Sequence, residues 1–476
     1  MPTHRAALPT NHGARTGSVE APRARALHLV AGLLALVGLA APAPAQEPVA
    51  APARPSFVLI VADDLGWSDV GFHGSRGCAT PRLDALAQAG LVFTQACSGA
   101  PTCSPARAAL LTGKAPARLR LTDSVGVERA GTPAPGLTAV QSRQKLGLRV
   151  PTLASELHRA GYHTALIGKW HLGTDPREHG FDEVRAWIPG GAVPSHFETE
   201  LEGLDPPAPG QHLTERLTRA AVTYLEARGD EPFLLVLSHY APHTPLEAPA
   251  EEVARARERA EAAGVNPTYA ALVSGLDASV GAVQDALVRL GRTERTLLVF
   301  TSDNGGLLEH GARGEPPVAV TTNAPLRGGK HGLYEGGLRV PLVLWGGPVA
   351  RRGTVATPVV AMDLLPTLLG LAGLPAPAPL DGVDLAPLLA AGGALPSRAL
   401  YFHYPHRRAT SAVRRGDEKL VHAWSSGTSE LYDLAADPGE TRDLAGERPQ
   451  RVRELESELR AWLTSVGADV PVRTGR

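Results

Sequence analysis

A cysteine and an arginine stand four residues apart in the segment Cys103-Ser-Pro-Ala-Arg107, which continues into Ala-Ala-Leu-Leu-Thr-Gly. Proline near the start of such a run is typical of a helix N-terminus, where free backbone N–H groups favour anions. A helix that begins there places Cys103 and Arg107 on one face. The segment therefore fits an oxyanion site with a reactive group, although a capped helix with a packing cysteine has the same spacing.

Two segments rich in side-chain oxygens follow apolar runs. Asp63 and Asp64 come directly after residues 56–62, and Asp303 and Asn304 follow residues 296–300 closely. Adjacent carboxylates repel each other unless a cation compensates them. Oxygen ligands without a His or Cys cluster favour Ca²⁺ or Mg²⁺ over Zn²⁺. Each segment taken alone is also compatible with an ordinary turn.

Four basic residues stand in short segments with glycine or proline. Lys169 and His171 follow a short apolar run at residues 164–167, and in an extended segment they would face the same site. His243 lies in Tyr-Ala-Pro-His-Thr-Pro, and Lys330 lies in Gly-Gly-Lys ahead of Tyr-Glu-Gly-Gly. Taken singly, a histidine is more often structural and a lysine is usually a solvated surface charge.

The elements that must position these residues can be read from the apolar runs. Residues 56–62, 233–237, 296–300 and 340–345 predict buried strands, and residues 80–89, 151–160 and 213–227 predict helices between them. This alternation favours an α/β fold with a large, mostly parallel sheet flanked by helices. Functional groups in such sheets lie beyond the carboxyl ends of the strands, where Asp63, His243 and Asp303 stand.

The C-terminal part of the chain has a different pattern of predicted elements. Residues 399–403, 411–415, 419–423 and 429–434 predict short strands, and residues 451–463 predict a closing helix. We therefore expect a small antiparallel sheet with one helix after the large sheet. The predicted boundaries are a catalytic domain at residues 56–392 and a C-terminal subdomain at residues 393–476.

Composition and net charge argue against several classes of protein but do not identify a function. The formal net charge of -1 gives no electrostatic argument for binding nucleic acid or an anionic membrane surface, so neither is expected as a partner. The three cysteines, Cys78, Cys97 and Cys103, do not make a disulfide scaffold. One pair at most can form, which leaves at least one thiol for another role.

The N-terminal segment predicts export. Four arginines precede an apolar run at residues 26–41 and the small-residue sequence Ala43-Pro-Ala45. This pattern is typical of a secretory signal peptide at residues 1–45, with a periplasmic or extracellular product. The alternatives are a retained N-terminal anchor and a wrongly assigned start codon. A Pro/Ala-rich linker at residues 46–55 would follow. We expect no membrane span later in the chain, because no other apolar run reaches the required length.

Together these segments closely resemble the signature sequences of the type I sulfatases, members of the alkaline phosphatase superfamily. The resemblance starts at residues 103–107 and includes residues 61–67, 168–173, 240–245, 301–306 and 328–341. Weaker similarity at residues 362–384 and 430–440 extends it over nearly the whole mature chain. The resemblance implies an alkaline phosphatase-like fold and arylsulfatase-like hydrolysis of sulfate esters.

The resemblance also implies the cofactors. Cys103 would be oxidised by a formylglycine-generating enzyme to formylglycine, whose hydrated aldehyde is the nucleophile of this family. A divalent cation, Ca²⁺ or alternatively Mg²⁺, would be held by oxygen ligands together with the modified residue. The implied ligands are Asp63, Asp64, Cys103, Asp303 and Asn304.

The implied catalytic roles fall on the remaining residues. Arg107, Lys169 and Lys330 would offset the charge of the sulfate oxygens. His243 would protonate the leaving oxygen, with Lys330 as the rival. His171 would take a proton from the second hydroxyl of the formylglycine hydrate, so that sulfate leaves and the aldehyde forms again.

Two other functions remain open at this level. A phosphonate monoester or phosphodiester hydrolase of the same superfamily needs the same anion cradle. A non-catalytic protein that binds sulfated glycans would keep the pocket, although the presence of every candidate catalytic residue argues against it. The expected substrate is a sulfated small molecule or glycan, an assignment that rests on family analogy.

Overall fold

The computed structural model of the chain describes residues 54–126, 136–311 and 316–474. The predicted signal peptide and most of the predicted linker lie outside the described residues. The strands are β1 Ser56–Ala62, β2 Leu91–Phe93, β3 Ala96–Cys97, β4 His163–Gly168, β5 Glu183–Arg185, β6 Phe233–Ser238, β7 Thr296–Ser302, β8 Glu309–His310, β9 Val318–Ala319, β10 Leu342–Trp345, β11 Gly353–Val355, β12 Val359–Val360, β13 Ala399–Tyr404, β14 Thr410–Arg415, β15 Glu418–Ala423 and β16 Thr428–Asp433.

The helices alternate with these strands over most of the chain. They are α1 Pro81–Ala89, α2 Cys103–Thr112, α3 Pro116–Leu119, α4 Leu153–Arg159, α5 Leu213–Ala227, α6 Ala250–Ala262, α7 Pro267–Arg289, α8 Glu335–Leu338, α9 Leu364–Leu371, α10 Ala386–Leu389 and α11 Pro449–Ser465. The predicted helices at residues 80–89, 151–160, 213–227 and 451–463 correspond to α1, α4, α5 and α11.

The central sheet has eight strands in the order β11-β2-β10-β7-β1-β6-β4-β5. The block β7-β1-β6-β4-β5 is parallel, whereas β10 runs antiparallel to both β7 and β2. Every residue of β1 is buried, because helices cover both faces of the sheet. The mostly parallel α/β sheet predicted from the apolar runs is thus confirmed, with β10 as an antiparallel exception.

Alternate residues of β1 feed two separate cores. Val58 and Ile60 point to the face that α1, α5 and α7 cover. Phe57 and Leu59 point to the opposite face, where α4 and α9 pack. Full burial of a large apolar side chain contributes roughly 1.5–3 kcal/mol, so this central strand anchors the residues at its end firmly.

The predicted C-terminal antiparallel sheet is present as β13-β14-β15-β16. One face packs on leucines of α11, with Leu455 and Leu459 against Val413 and Leu420. The other face packs on the loops of the large sheet, where Phe402 shares a core with other buried residues, among them Leu338 and Cys97. The small sheet is therefore apolar on both faces.

Helix α7 corrects one expectation. It has 23 residues and contains a predominantly apolar stretch, so by length and composition alone it is long enough to cross a membrane. The sequence reading, which expected no later segment of that length, was wrong on this point. In the structure α7 packs against α1, α5 and α6 and buries Leu276, Val280 and Val283 in the core.

Candidate active site

The carboxyl ends of β1 and β7 bring three carboxylates together. The two strands are parallel neighbours with Ala62 opposite Ser302, so Asp63 and Asp303 emerge side by side. The backbone N–H of Asp64 donates to Asp303 Oδ1 at 3.1 Å. Asp64 has the left-handed φ of 64°, a conformation uncommon for a residue with a side chain and often found at functional sites.

Cys103 begins α2 and points at these carboxylates. Its Sγ lies 3.6 Å from Asp63 Oδ1 and 3.9 Å from Asp64 Oδ1. The side chain is buried, and burial, opposed by Lys169 and Lys330, raises the pKa of the thiol to about 12. Cys78 and Cys97 are buried and free as well, so the structure contains no bond between them. An unmodified Cys103 is therefore a neutral thiol at physiological pH.

Arg107 turns its guanidinium toward the protein's own groups. Its Nε donates to Asp303 Oδ2 at 2.9 Å, and its Nη1 donates to Ser238 Oγ at 2.5 Å and to the Lys169 carbonyl at 3.1 Å. Its Nη2 forms an ion pair with Asp303 at 2.9 Å. The side chain is 3% exposed, so its geometry is fixed by these contacts. Arg107 thus holds the carboxylate cluster and the strand ends in place.

Two lysines neutralise the remaining carboxylates. Lys169 Nζ donates to Asp63 Oδ2 at 2.6 Å, and Lys330 Nζ donates to Asp64 Oδ2 at 2.7 Å. Burial opposes ionisation of both carboxyls, but the lysines and neighbouring cationic groups hold the pKa of Asp63 and of Asp64 below its ordinary value. The pKa of Lys330 is held well above its ordinary value, against the effect of burial, chiefly by Asp64. Both lysines therefore lie at the reactive centre as partners of its carboxylates.

The loop that carries Lys330 is fastened by backbone contacts. The N–H of Lys330 donates to the Gly306 carbonyl at 3.0 Å, and the N–H of Gly305 donates to the Gly337 carbonyl at 3.1 Å. A Cβ on Gly305 would lie 2.0 Å from the Gly336 carbonyl oxygen, and a Cβ on Gly336 would lie 2.2 Å from that of Gly328. Only glycine permits such close packing of backbones, which joins the Lys330 loop to the turn that bears Asp303 and Asn304.

His171 lies at the site but not in the extended conformation that its spacing from Lys169 predicted. Its φ is 58°, and its imidazole is 7% exposed. Nε2 lies 3.0 Å from the Val125 carbonyl, which can only accept, so Nε2 carries the proton. Nδ1 has no partner among the described groups. Burial and the charge of Lys169 hold the pKa of His171 well below its ordinary value, so Nδ1 is a free base.

His243 approaches the cluster from the other side. Its Nδ1 donates to the Thr244 carbonyl at 2.8 Å, and its Nε2 lies 3.6 Å from Asp64 Oδ2. Burial, assisted by Lys330, lowers the pKa of His243 to about 4. His243 is consequently neutral near pH 7, with its proton on the nitrogen that faces away from Asp64.

The oxygen atoms at the strand ends fit a cation. Ligand atoms of Asp63, Asp64, Cys103 and His243 lie within 4.8 Å of one another. Beside them, Asn304 donates through Nδ2 to Asp64 Oδ1 at 2.7 Å, while its Oδ1 is buried without a partner among the described groups. An orphaned amide oxygen next to clustered carboxylates is the environment that a hard divalent cation satisfies. His243 is a candidate ligand that the sequence patterns did not indicate.

The raised pKa of Asp303 also indicates that the cluster lacks positive charge. Burial raises the pKa of Asp303 to about 6 even though Arg107 opposes the shift. An added cation stabilises the ionised form of such a carboxyl more than that of a carboxyl whose charge is already neutralised by neighbouring cations. The donor set therefore fits a divalent ion held by carboxylate and amide oxygens.

A second buried charge cluster, the Glu335 network, supports the Lys330 loop from below. Lys419 Nζ lies 2.8 Å from Glu335 Oε1 and 2.9 Å from Glu440 Oε1. Arg339 Nη2 and Arg414 Nη1 lie 2.6 Å and 3.4 Å from Glu335 Oε2. Glu335 opens α8 directly after the Lys330 loop, whereas Lys419 and Arg414 belong to β15 and β14. The network thus ties the loop to the C-terminal sheet.

All of the predicted site residues lie at or beside this centre. The sequence reading missed several partners: Ser238 and Val125, which orient Arg107 and His171, and Lys419 of the Glu335 network. Ser238 could have been found, because it directly follows the strand predicted at residues 233–237, at the functional edge of the sheet. Val125 acts through its carbonyl, and Lys419 resembles any strand lysine, so neither carries a sequence signal.

Comparison with known proteins gives the family. The sulfatase family profile matches residues 55–374, and the C-terminal profile of N-sulphoglucosamine sulphohydrolase matches residues 329–468. Human arylsulfatase A is 34% identical, with 90% of this chain and 87% of that protein covered. Mouse N-acetylgalactosamine-6-sulfatase is 31% identical over 84% of this chain and 76% of that protein.

A solved structure agrees with these relatives. Ps i-CgsB, in complex with k-i-k-neocarrahexaose, superposes with a TM-score of 0.74 at 29% identity, covering 86% of this chain and 93% of that one. The profile match covers more than half of the chain and coincides with the sheet edge where the carboxylates, Cys103 and the two lysines meet. The chain therefore belongs to the sulfatase family of sulfuric ester hydrolases.

Proposed function

We propose that this sulfatase cleaves sulfate monoesters with a formylglycine formed from Cys103 and with a bound divalent cation, Ca²⁺ in preference to Mg²⁺. The observation that carries the proposal is the position of Cys103 Sγ, buried at the start of α2 and 3.6 Å from Asp63 Oδ1. A thiol with a pKa raised to about 12 is a poor nucleophile, so the residue needs conversion to act.

The two groups together supply what the side chains cannot. A hydrated formylglycine offers a hydroxyl nucleophile, and the cation lowers the pKa of that hydroxyl and polarises the ester. Asp63, Asp64, Asp303 and Asn304 would hold the cation, with Cys103 after modification as a further ligand and Arg107 fixing Asp303. With a cation held by the carboxylates, Lys169 and Lys330 would no longer be needed to offset the carboxylate charge. Both ammonium groups would then be available to bind the sulfate oxygens.

Proton transfer falls to two histidines and a lysine. His171 offers the free Nδ1 as a base for the second hydroxyl, because its Nε2 proton is committed to Val125. His243 must first gain a proton on Nε2 before it can protonate the leaving oxygen, whereas Lys330 is already protonated. We retain His243 as the acid and Lys330 as its rival. Loss of the true acid should slow esters of poorly acidic alcohols more than esters of nitrophenols.

The natural substrate is proposed to be a sulfated small molecule or a sulfated glycan. Support comes from the relatives, which include an N-acetylgalactosamine-6-sulfatase and a structure in complex with a neocarrahexaose. We further propose a cleaved signal peptide at residues 1–45, a linker at 46–55, a catalytic domain at 56–392 and a C-terminal subdomain at 393–476. Export to the periplasm or beyond and maturation by a formylglycine-generating enzyme belong to the same proposal. Retention of residues 27–41 in the exported protein, read by N-terminal sequencing, would contradict the cleavage.

The test is turnover of matched nitrophenyl substrates by protein co-produced with a formylglycine-generating enzyme and supplied with Ca²⁺. We expect the sulfate ester to be cleaved with a much higher kcat/KM than the phosphonate monoester or the phosphodiester. Preference for either phosphorus ester would move the assignment to the neighbouring hydrolases. Glycan binding by protein that contains no formylglycine after native expression would favour the non-catalytic function.

A further inference from the structure

A cleft of about 590 Å³ opens beside the catalytic lysine. One wall is the Lys330 loop, and the other is the turn between β13 and β14, which belongs to the small C-terminal sheet. The side chains that determine the charge and polarity of the cleft are Leu308, Glu309, Lys330, Arg407 and Arg408. Among the described residues that line the cleft, Arg407 and Arg408 outnumber the one acidic residue, Glu309, while the ammonium of Lys330 is paired with Asp64, so the cleft favours an anionic occupant.

The cleft adjoins the reactive centre. Lys330 contributes to its wall and also reaches Asp64 at 2.7 Å. The next residue, His331, stacks on Tyr404 of β13 with ring centroids 6.3 Å apart. Burial lowers the pKa of His331 to about 3, and the charges of Lys330 and Arg407 add to that effect. A ligand at the reactive centre could therefore extend directly toward Arg407.

The turn that presents the two arginines is anchored beneath them. His406 is buried, and its Nε2 lies 2.9 Å from Thr122 Oγ1. The N–H of Ala409 donates to the His406 carbonyl at 2.8 Å, and Arg407 has the left-handed φ of 52°. The backbone of the turn is thus held by contacts on both sides, while the side chains of Arg407 and Arg408 stay exposed.

Neither arginine is committed to a carboxylate in the part of the chain that the structure describes. The next two arginines along the same hairpin differ in this respect. Arg414 pairs with Glu335 at 3.4 Å, and Arg415 pairs with Glu458. A guanidinium that faces a cleft without such a partner can bind a sulfate or carboxylate through two parallel hydrogen bonds.

We propose that this cleft is a subsite for a second anionic group on the substrate, a sulfate or carboxylate bound by Arg407 and Arg408. The proposal rests on the proposed function, because a sulfate monoester has a single organic substituent. Any part of the substrate that lies beyond the reacting sulfate must therefore belong to the leaving alcohol. The substrate class that this geometry fits is a saccharide with at least one acidic group besides the sulfate that is removed. The partly exposed Leu308 would pack on the sugar ring between the two anionic groups.

The test uses competition, so that it needs no turnover of a saccharide. Nitrophenyl sulfate turnover is inhibited by a disulfated disaccharide and by its monosulfated counterpart, with wild type, Arg407→Ala, Arg408→Ala and the double variant. We expect the disulfated compound to inhibit wild type at least about 10-fold more strongly, and this advantage to disappear in the double variant, with nitrophenyl sulfate kinetics unchanged. Arg453→Ala on the exposed face of α11 is the matched control and should behave as wild type.

Three outcomes would overturn the subsite. They are equal inhibition of wild type by the two compounds, an advantage that survives in the double variant, and a loss of nitrophenyl sulfate turnover in the double variant comparable to the loss of inhibition. Failure of the proposed function is a separate result, because wild type would then not hydrolyse nitrophenyl sulfate at all. In that event isothermal titration calorimetry measures the affinity of wild type and of the double variant for the two disaccharides. The subsite then predicts tighter binding of the disulfated compound to wild type and no such preference in the double variant.

Discussion

Two buried charge clusters lie on either side of the Lys330 loop, and they are built differently. In the Glu335 network, Lys419, Arg339 and Arg414 surround one carboxylate, and these side chains are 0–8% exposed. Burial opposes ionisation of Glu335, yet the three cations hold its pKa well below the ordinary value. The other cluster, called the catalytic cluster, consists of Asp63, Asp64 and Asp303 with Arg107, Lys169 and Lys330. There the pKa of Asp303 is raised to about 6, because burial outweighs Arg107.

The two clusters differ in how far their buried charged and polar groups find partners within the protein. We call the Glu335 network complete and the catalytic cluster incomplete in this sense. The Glu335 network joins α8 to β14 and β15, and three cations of the protein itself compensate Glu335, although burial raises the pKa of Glu440 at its edge. The catalytic cluster leaves Asn304 Oδ1 and His171 Nδ1 without partners among the described groups, and each of its lysines makes one carboxylate contact at Asp63 or Asp64. Buried polar groups that lack partners cost stability, and functional sites retain them because a ligand or substrate supplies what is missing.

Among the changes that test this comparison of the two clusters, removal of a carboxylate from the incomplete cluster should have the largest effect. Asp303→Asn should lower kcat/KM for nitrophenyl sulfate by at least about 100-fold, since even indirect partners of bound metals contribute 10–100-fold. The variant should also lose the thermal stabilisation that Ca²⁺ gives to wild type. Asp285→Asn, at an exposed carboxylate of α7, is the control. Activity within a few-fold of wild type for Asp303→Asn would remove this residue from the site.

The complete cluster should respond in stability instead. Lys419→Met leaves Glu335 and Glu440 without their shared cation and should lower the free energy of unfolding by about 3–5 kcal/mol. Urea denaturation followed by fluorescence measures the change, with Arg453→Met as an exposed control expected within about 0.5 kcal/mol of wild type. If Lys419→Met changed the free energy of unfolding as little as Arg453→Met does, the network would not stabilise the fold.

The pKa of Asp303 sets a pH dependence for the catalytic cluster. Its folded pKa of about 6 lies above the ordinary value of 3.8, so in the cation-free protein its stabilising contribution is complete below that value and is lost as the pH rises through about 6. A cation competes with the proton, so the increase in Tm caused by Ca²⁺ should grow as the pH rises from 5 to 7. Scanning fluorimetry with Ca²⁺ or with a chelator measures it. A Ca²⁺ effect that is constant or falls over this range would contradict the assignment of Asp303 as a ligand.

The smallest expected signal is the reactivity of the unconverted thiol. In protein produced without a formylglycine-generating enzyme, Cys103 should resist iodoacetamide at pH 8 while the chain is folded and react after denaturation, because burial raises its pKa to about 12. Peptide mass spectrometry gives the alkylated fraction, with Cys78 and Cys97 as buried internal controls. Rapid alkylation of Cys103 alone in the folded protein would show a thiolate and weaken the case for conversion.

The sequence predicted those features that depend on neighbouring residues. The apolar runs of β1, β6 and β7 are long enough to recognise, and the carboxyl edge of the sheet then places Asp63, Asp303 and His243 together. Strands such as β2 and β3 have only three and two residues, and their burial depends on partners far along the chain. The pairing of Glu335 with Lys419 likewise spans 84 positions and leaves no periodic pattern.

The central claim is that one modified residue, formed from Cys103, performs the hydrolysis at the cation cluster. The most direct measurement is nitrophenyl sulfate turnover by wild type and by Cys103→Ala, both co-produced with a formylglycine-generating enzyme and assayed with Ca²⁺. We predict that the variant folds with an unchanged circular dichroism spectrum and loses at least about 1,000-fold in kcat, as removal of a covalent nucleophile does. Turnover by Cys103→Ala within a few-fold of wild type would contradict the account.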